Sequence, residues 1–345
     1  MTYIIGEIGQ NHNGSVDIAK LIIDSAARPI KEDLFGLDLK PMNAVKLTKR
    51  DLKAELSDSQ MLRPYATTHS FGKTYGEHRA VLELNDEQHF ECYKHAKSYG
   101  LDFVETLCAI GCLSLLKLFT PEYLKVASRD LTNLPLLSAL AETKIPIIVS
   151  TGMAGKKELD DALGVITKYH QQISILHCVS QYPTEPQNTN LNTIKYLQKN
   201  YNQFTIGYSD HTIGIATPVA AVAMGAKIIE KHITLDRRMK GTDQAGSLGP
   251  DGINRMVRDI RVLEMAFGKE ELFIDPSVKI AKEKLERSIA TNKEIKIGDT
   301  INESDLHLLS PGDGYKWADR NQIIGKAATS EIKKNEIIYP NHLSI

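Results

Sequence analysis

Two histidines stand beside carboxylates at matching places in the stretch FTIGYSDHTIGIATPVAAVAMGAKIIEKHITLD, residues 204–236: Asp210-His211 and Glu230-Lys231-His232. Neutral imidazoles are good ligands for a borderline divalent cation, so His211 and His232 are candidates to share one metal ion with an open face. The stretch reads as a short apolar strand ending in Tyr208-Ser209-Asp210-His211, then a helix of small residues from Ala216 to Gly225. A second strand, Lys227 to Ile229, leads into Glu230. In such a βαβ unit both polar groups fall at strand C-terminal ends, where parallel α/β folds collect their chemistry. A lone histidine at a strand end commonly does no more than hydrogen-bond; a matched pair is harder to explain that way.

The same position is polar along the whole chain. Glu7, Lys46, Thr106, Lys125, Ser128, Ser150, His177, Ser180, Tyr182 and Ser209 all lie at or just beyond the ends of apolar segments. Any one of the hydroxyls is an ordinary strand-end residue; as a set with two lysines they make an anion cradle, most simply for phosphate. Beside a metal site, the combination suits a phosphorylated anion reacting with a metal-polarised carbonyl.

Those groups need a scaffold to bring them together. Apolar, β-branched strands begin near residues 3, 43, 101, 123, 146, 174, 205 and 227, and each leads into a helix or a loop. Strands of that kind bounded by amphipathic helices indicate a parallel sheet buried on both sides. Eight βα units in about 270 residues predict an α/β fold of the (β/α)8 TIM-barrel type. A doubly wound open sheet is the alternative; it would want a GxGxxG turn after its first strand, which is absent. Residues 50–85 show no clear helix or strand period, yet carry THSFGKTYGEHR, dense in groups that bind anions. Residues 110–119 read as a helix. From Arg287 the rhythm changes to short β segments with Gly, Asn and Pro turns, and Ile295–Asp299 and Ile332–Glu336 look like two copies of one turn. The expected division is a catalytic barrel over 1–270, a charged linker over 271–286 and a small β-rich lid domain over 287–345.

With 42% hydrophobic and 25% charged residues and a formal net charge of −1, the 345-residue chain is ordinary globular protein. The charge argues against nucleic acid as the main partner. Cys92, Cys108, Cys112 and Cys178 show no CxxC pairing and read as buried free thiols in a reducing compartment. Neither a leader pattern nor a run of 18 apolar residues occurs, so a cytoplasmic protein without a membrane partner is expected.

The chain resembles the sialic acid synthase family, nearest to the N-acylneuraminate-9-phosphate synthase type. EIGQNHNG, AVK, LKVASRDLTN, PIIVSTGMA, LHCVSQYP, IGYSDHTIGIA, GAKIIEKHITLDR and MKGTDQAGSLGPD carry the likeness along essentially its whole length. The C-terminal module is similar to antifreeze proteins (SAF type). Members are transferases that condense phosphoenolpyruvate with N-acetylmannosamine or a related sugar. The resemblance implies that His211 and His232 hold a divalent ion, typically Mn2+, with Mg2+ or Co2+ as substitutes. It implies Lys46, Thr106, Lys125, Ser128, Ser150, Ser180 and Ser209 around phosphoenolpyruvate, and Glu7, Tyr182 and Asp243 toward the sugar. It further implies a homodimer in which the small domain of one chain covers the barrel mouth of the other. Glu7, Asp130 and Glu230 are candidates for proton handling or water orientation, although Asp130 and Glu230 serve equally well as support for Lys125 and His232.

The acceptor is read from two segments. HSFGKTYGEHRAVLEL looks like the loop of the animal-type enzymes that act on 6-phosphosugars, with Lys73 and Arg79 as the cations for the phosphate. Bacterial members that use free N-acetylmannosamine commonly carry Arg-Pro-Gly in the small domain, where this chain has Ser310-Pro311-Gly312. N-acetylmannosamine 6-phosphate or a related 6-phosphosugar is therefore expected, with the unphosphorylated sugar as the alternative. A catalytically silent sugar-phosphate-binding relative is the reading of another class, against which the metal pair and the lysines speak. A metal-dependent aldolase using pyruvate is a further one, and no lysine context favours a Schiff base. Residues 27–42 replace the family's short helix-to-strand turn, with no functional account.

Overall fold

Side chains alternate between the two faces of a β-strand, so a strand lining a barrel sends every second residue inward and the rest toward the surrounding helices. The computed structural model describes residues 1–33 and 35–344. Its strands are β1 (Tyr3–Gly9), β2 (Ile30–Glu32), β3 (Leu37–Leu39), β4 (Ala44–Lys49), β5 (Asp102–Leu107), β6 (Tyr123–Val126), β7 (Ile147–Ser150), β8 (Ile173–Cys178), β9 (Thr205–Asp210) and β10 (Ile228–His232). Eight of them close a parallel barrel in the order β1-β10-β9-β8-β7-β6-β5-β4, which is the predicted (β/α)8 architecture. The remaining two, β2 and β3, pair as an antiparallel hairpin. That hairpin is what fills residues 27–42, of which residue 34 lies outside the described residues.

Outward residues such as Ile4, Val45, Phe103, Leu124, Val149 and Ile229 are buried against the helical layer. Inward ones form a second apolar cluster, Ile5, Ala44, Val104, Ile148, Leu176 and Ile228, that plugs the barrel from within. Burying each of its larger members stabilises the fold by roughly 1.5–3 kcal/mol. Two residues further along the same strands, the inward positions become Glu7, Lys46, Thr106, Ser150, Cys178 and Glu230. Register sets them side by side: Glu7 lies opposite Lys46 on one neighbour and His232 on the other, and Glu230 opposite Ser209. An apolar plug therefore carries a polar floor at its C-terminal end.

Between β4 and β5 the structure has three short helices, Leu52–Glu55, Asp58–Met61 and Tyr75–Val81, where the sequence shows no period. Each is held by a side-chain cap, Asp51, Ser57 and Thr74 respectively. Helices of four to seven residues complete too few turns to print a 3.6-residue repeat. Residues 110–117 form a 3-10 helix rather than an α-helix.

The chain divides into two compact units, Met1–Gly268 and Lys269–Ile345. In the second, the charged stretch folds as a helix, Lys279–Leu285, and β11 (Ser288–Thr291) pairs antiparallel with β12 (Leu306–Leu309). Its own core is built on Ile289, Ile295, Ile301, Ile323, Ile332 and Ile338. The two similar turns pair with each other through an antiparallel bridge between Ile295 and Ile332. Each places one residue in the left-handed region, Gly298 (φ 87°) and Asn335 (φ 67°). Each is closed by an acid, Asp299 accepting from Lys296 N at 3.0 Å and Glu336 from Lys333 N at 2.7 Å. No helix among the described residues is long and apolar enough to cross a membrane.

Candidate active site

Above the polar floor lies a cavity of about 330 Å³ at the C-terminal ends of the barrel strands. Four charged side chains are buried at its base: Glu7, Lys46, Lys125 and Glu230. Lys46 Nζ ion-pairs with Glu7 Oε2 and stands 3.4 Å from Glu230 Oε2, while Lys125 Nζ is 3.9 Å from Glu230 Oε1. Ser209 Oγ donates to Glu230 Oε1 at 2.9 Å, and Lys46 Nζ to Thr106 Oγ1 at 3.4 Å. The two carboxyls are not equivalent. Burial raises Glu7 to about 7, which the Lys46 charge only partly offsets. Burial opposes ionisation of Glu230 as well, but Lys125 and Lys46 together hold it down at about 2. Carboxyls pushed apart in this way divide the work: Glu7 carries a proton near neutrality and Glu230 stays anionic.

One wall is shaped by Gly152, just past β7. A Cβ there would collide with Ser180 Oγ and come within 2.7 Å of Ser128 Oγ and 2.9 Å of Cys178 Sγ. Its N–H donates to Ser128 Oγ at 3.0 Å. Ser150 Oγ is buried beside it without a hydrogen-bond partner. A buried hydroxyl left open among so many polar neighbours is what a group reserved for a ligand looks like.

His211 and His232 both line the cavity, with ring centroids 5.4 Å apart. His211 Nδ1–H donates to Val179 O at 2.9 Å, which leaves the Nε2 lone pair free. His232 is kept neutral by burial, and its buried Nδ1 has no partner. The Tyr182 ring packs 4.0 Å from that of His211, centroid to centroid. Two imidazoles with unclaimed ring nitrogens fit a divalent cation. Among the described residues no group of three or more His, Cys, Asp or Glu side chains is placed to hold a metal. The pair would thus leave most coordination positions to water and substrate.

The carboxylates next to these histidines part company. Glu230 belongs to the floor, whereas Asp210 points the other way and pairs with Lys231 Nζ at 2.5 Å, both side chains fully buried. Tyr208 OH donates to the same carboxylate at 2.8 Å. Asp210 and Lys231 are direct partners across β9 and β10, so this pair locks together the two strands that carry the histidines. His177 bonds through Nε2 to Thr189 O at 2.8 Å and does not line the cavity.

Thr106, Ser128, Ser150, Ser180, Ser209, Tyr182, Asp243 and Arg79 all line the cavity; Lys73 and Asp130 do not. Lys73 is exposed, and its backbone N–H donates to Glu77 Oε2 at 2.6 Å. Asp130 faces a neighbouring hollow and pairs with Arg129 at 3.2 Å. Much of the polar loop 67–79 is spent on its own fold. Thr74 and Glu77 form a capping box, Ser70 Oγ donates to Thr67 O, and His78 lies buried against the Tyr65 and Phe71 rings. Arg50, Tyr75 and Arg129 also line the cavity without having been singled out in the sequence. The available signal was a cation directly after a strand end, in Lys49-Arg50 and Ser128-Arg129.

A model of the NeuB family matches residues 40–272, and one of the SAF domain matches residues 286–344. The chain is 34% identical over 338 residues to N-acetylneuraminate-9-phosphate synthase of Homo sapiens, covering 97% of this chain and 91% of that one. It is 32% identical over 344 residues to N,N'-diacetyllegionaminic acid synthase of Campylobacter jejuni, with 98% of each covered. Among solved structures, the N-acetylneuraminic acid synthetase of Leptospira borgpetersenii in complex with citrate superposes with a TM-score of 0.66 at 30% identity. That match covers 81% of this chain and 90% of the other.

Proposed function

Since this chain belongs to the NeuB family of sialic acid synthases, we propose that it condenses phosphoenolpyruvate with a mannose-type aldose to give a nonulosonic acid and inorganic phosphate. The acceptor in this reading is N-acetylmannosamine 6-phosphate or a related 6-phosphosugar. The observation that carries it is the buried floor, where two lysines share two carboxylates of opposite protonation beneath an open set of hydroxyls.

Lys46 and Lys125, with Thr106, Ser128, Ser150, Ser180 and Ser209, hold the phosphoenolpyruvate anion by charge-assisted hydrogen bonds. Its C3 attacks the aldehyde at sugar C1, forming the C–C bond. Water adds at C2, and phosphate departs with cleavage of its C–O bond. The aldehyde oxygen takes up a proton as it becomes a hydroxyl, and Glu7 is the floor group that carries one near neutrality. Glu230 keeps its charge and fixes both lysines, while Tyr182 and Asp243 orient the sugar. A divalent ion on His211 and His232, Mn2+ by the resemblance, would polarise the aldehyde carbonyl when bound.

Similarity to a synthase named for a 9-phosphorylated product supports the phosphorylated acceptor. Similarity to a legionaminic acid synthase, whose name carries no phosphate, supports a second reading with the free sugar. The test is phosphate release from phosphoenolpyruvate with Mn2+ and each sugar in turn. The 6-phosphosugar should be favoured at least tenfold in kcat/KM, about 1.4 kcal/mol of transition-state binding. Equal use of the two sugars selects the second reading, and no release with either overturns both. We also propose the homodimer, which sedimentation of the full chain tests.

A further inference from the structure

We infer that Arg50, Arg79 and Arg129 form a phosphate seat that grips the far end of the acceptor across the barrel mouth from the two histidines. This rests on the condensation reading above and assigns the part of the site that selects the acceptor.

The three arginines come from separate places in the sequence and line one cavity. Arg50 directly follows β4, Arg79 sits on the helix Tyr75–Val81 between β4 and β5, and Arg129 follows β6. In the closed order β1-β10-β9-β8-β7-β6-β5-β4, the sector of β4, β5 and β6 faces the sector of β8, β9 and β10. The histidines end β10 and follow β9. A sugar with its aldehyde at the histidines would therefore direct its other end toward the arginines. An aldohexose 6-phosphate carries its dianion at the end opposite the aldehyde, as this polarity demands.

Glu83 and Glu55 space the guanidiniums apart, and Arg129 Nε also donates to Asp130 Oδ2 at 3.2 Å. Glu83 Oε1 accepts from Arg79 Nη2 at 3.1 Å and stands 3.9 Å from Arg50 Nε. Glu55 Oε2 accepts from Arg50 Nη1 and from Arg129 Nη2, each at 3.4 Å. Such a chain of ion pairs could be purely structural. What points to a ligand is what it leaves open: the buried Nε groups of Arg50 and Arg79 make no hydrogen bond. Arg79 is 5% exposed, and burial, with Arg50 beside it, pushes its guanidinium down to about 10. An incoming anion relieves that repulsion. Each guanidinium has five N–H groups in a planar fork matched to phosphate oxygens, so three of them exceed what one dianion accepts.

The test uses the full-length protein and its Arg50→Gln, Arg129→Gln, Arg50→Lys and Arg129→Lys variants. Steady-state kinetics are measured with phosphoenolpyruvate and either N-acetylmannosamine 6-phosphate or N-acetylmannosamine. Each Gln variant should lose at least tenfold more kcat/KM on the phosphorylated sugar than on the free one, with the KM for phosphoenolpyruvate within twofold. The Lys variants, which keep the charge but lose the fork, should recover part of that loss. A Gln variant with an early thermal transition is judged by its Lys counterpart, which must still lose preference for the phosphorylated sugar. Equal losses on both sugars, or a loss falling on the KM for phosphoenolpyruvate, would overturn the seat and leave the condensation standing. So would a wild-type protein that releases phosphate equally well with either sugar. No phosphate release with any sugar overturns the parent reading and the seat together.

Discussion

Lys46 sits between Glu7 and Glu230 on the barrel floor, and its charge lets two buried carboxyls coexist there. Removing one partner of a buried ion pair leaves the other uncompensated, at a cost of roughly 3–5 kcal/mol. Lys46→Met should lower stability by that order at pH 8, where Glu7 ionises, and by distinctly less at pH 5.5, where protonated Glu7 needs no counter-charge. Urea denaturation at the two pH values checks this; an equal cost at both would show that Glu7 does not hold the proton. The histidines differ, because the partner proposed for them is a divalent ion rather than a side chain. With two imidazoles as the protein's nitrogen donors, the metal should be strippable: a chelator should abolish turnover and Mn2+ restore it. His211→Ala and His232→Ala should each cost at least about a hundredfold. Mn2+ binding, followed by electron paramagnetic resonance, should weaken in both variants; unaltered binding would remove the histidines from the metal's coordination.

At the scale of elements, the barrel strands carry the site and the loops beyond them complete it. The loop after β7 is closely packed at the cavity wall. Gly152 has no side chain because Ser180, Ser128 and Cys178 converge where one would be. Gly152→Ala must push those hydroxyls aside, so the KM for phosphoenolpyruvate should rise tenfold or more while the thermal transition moves by only a few degrees. A variant with unchanged kinetics would place phosphoenolpyruvate elsewhere in the cavity. The segment between β4 and β5 works in another manner. Its short helices are fixed by caps, and the capping box of Thr74 and Glu77 supports the helix that carries Arg79 to the cavity.

For the molecule as a whole, three apolar clusters among the described residues supply the stability, two in the barrel unit and one in the second, and buried histidines give it a pH dependence. His12 is 2% exposed, and burial together with nearby His89 pushes its imidazole down to about 3. In the unfolded chain it titrates near the usual 6.5. Above pH 6.5 both states are neutral and His12 contributes fully. As the pH falls below 6.5 the unfolded chain takes up a proton that the folded one refuses, so stability is lost progressively toward pH 3. Each such group costs up to about 1.4 kcal/mol per pH unit. Burial shifts His78 and His177 in the same direction. The urea midpoint should therefore drop between pH 7 and pH 5, and His12→Asn should flatten that slope. An unaltered slope would show that His12 is not held neutral.

The sequence alone determined the eight strands, their parallel burial and the polar residues at their ends, because these are local facts. A strand buried on both faces is apolar throughout, and the break in that apolar run marks where it meets the cavity. The pairing of the two small-domain turns was foreshadowed by their likeness, since both need a left-handed residue followed by an acid. Tertiary structure decided what depends on register and ring closure. Asp210 and Glu230 look alike beside their histidines, but opposite strand faces send one to a buried lock with Lys231 and the other to the floor. The loop of residues 67–79 looked like an anion cradle, yet its hydroxyls and Glu77 mostly satisfy its own backbone, and Lys73 faces solvent. Arg50, Arg79 and Arg129 share no period and no motif. They meet because the barrel closes and turns three segments far apart in sequence into neighbours on one rim.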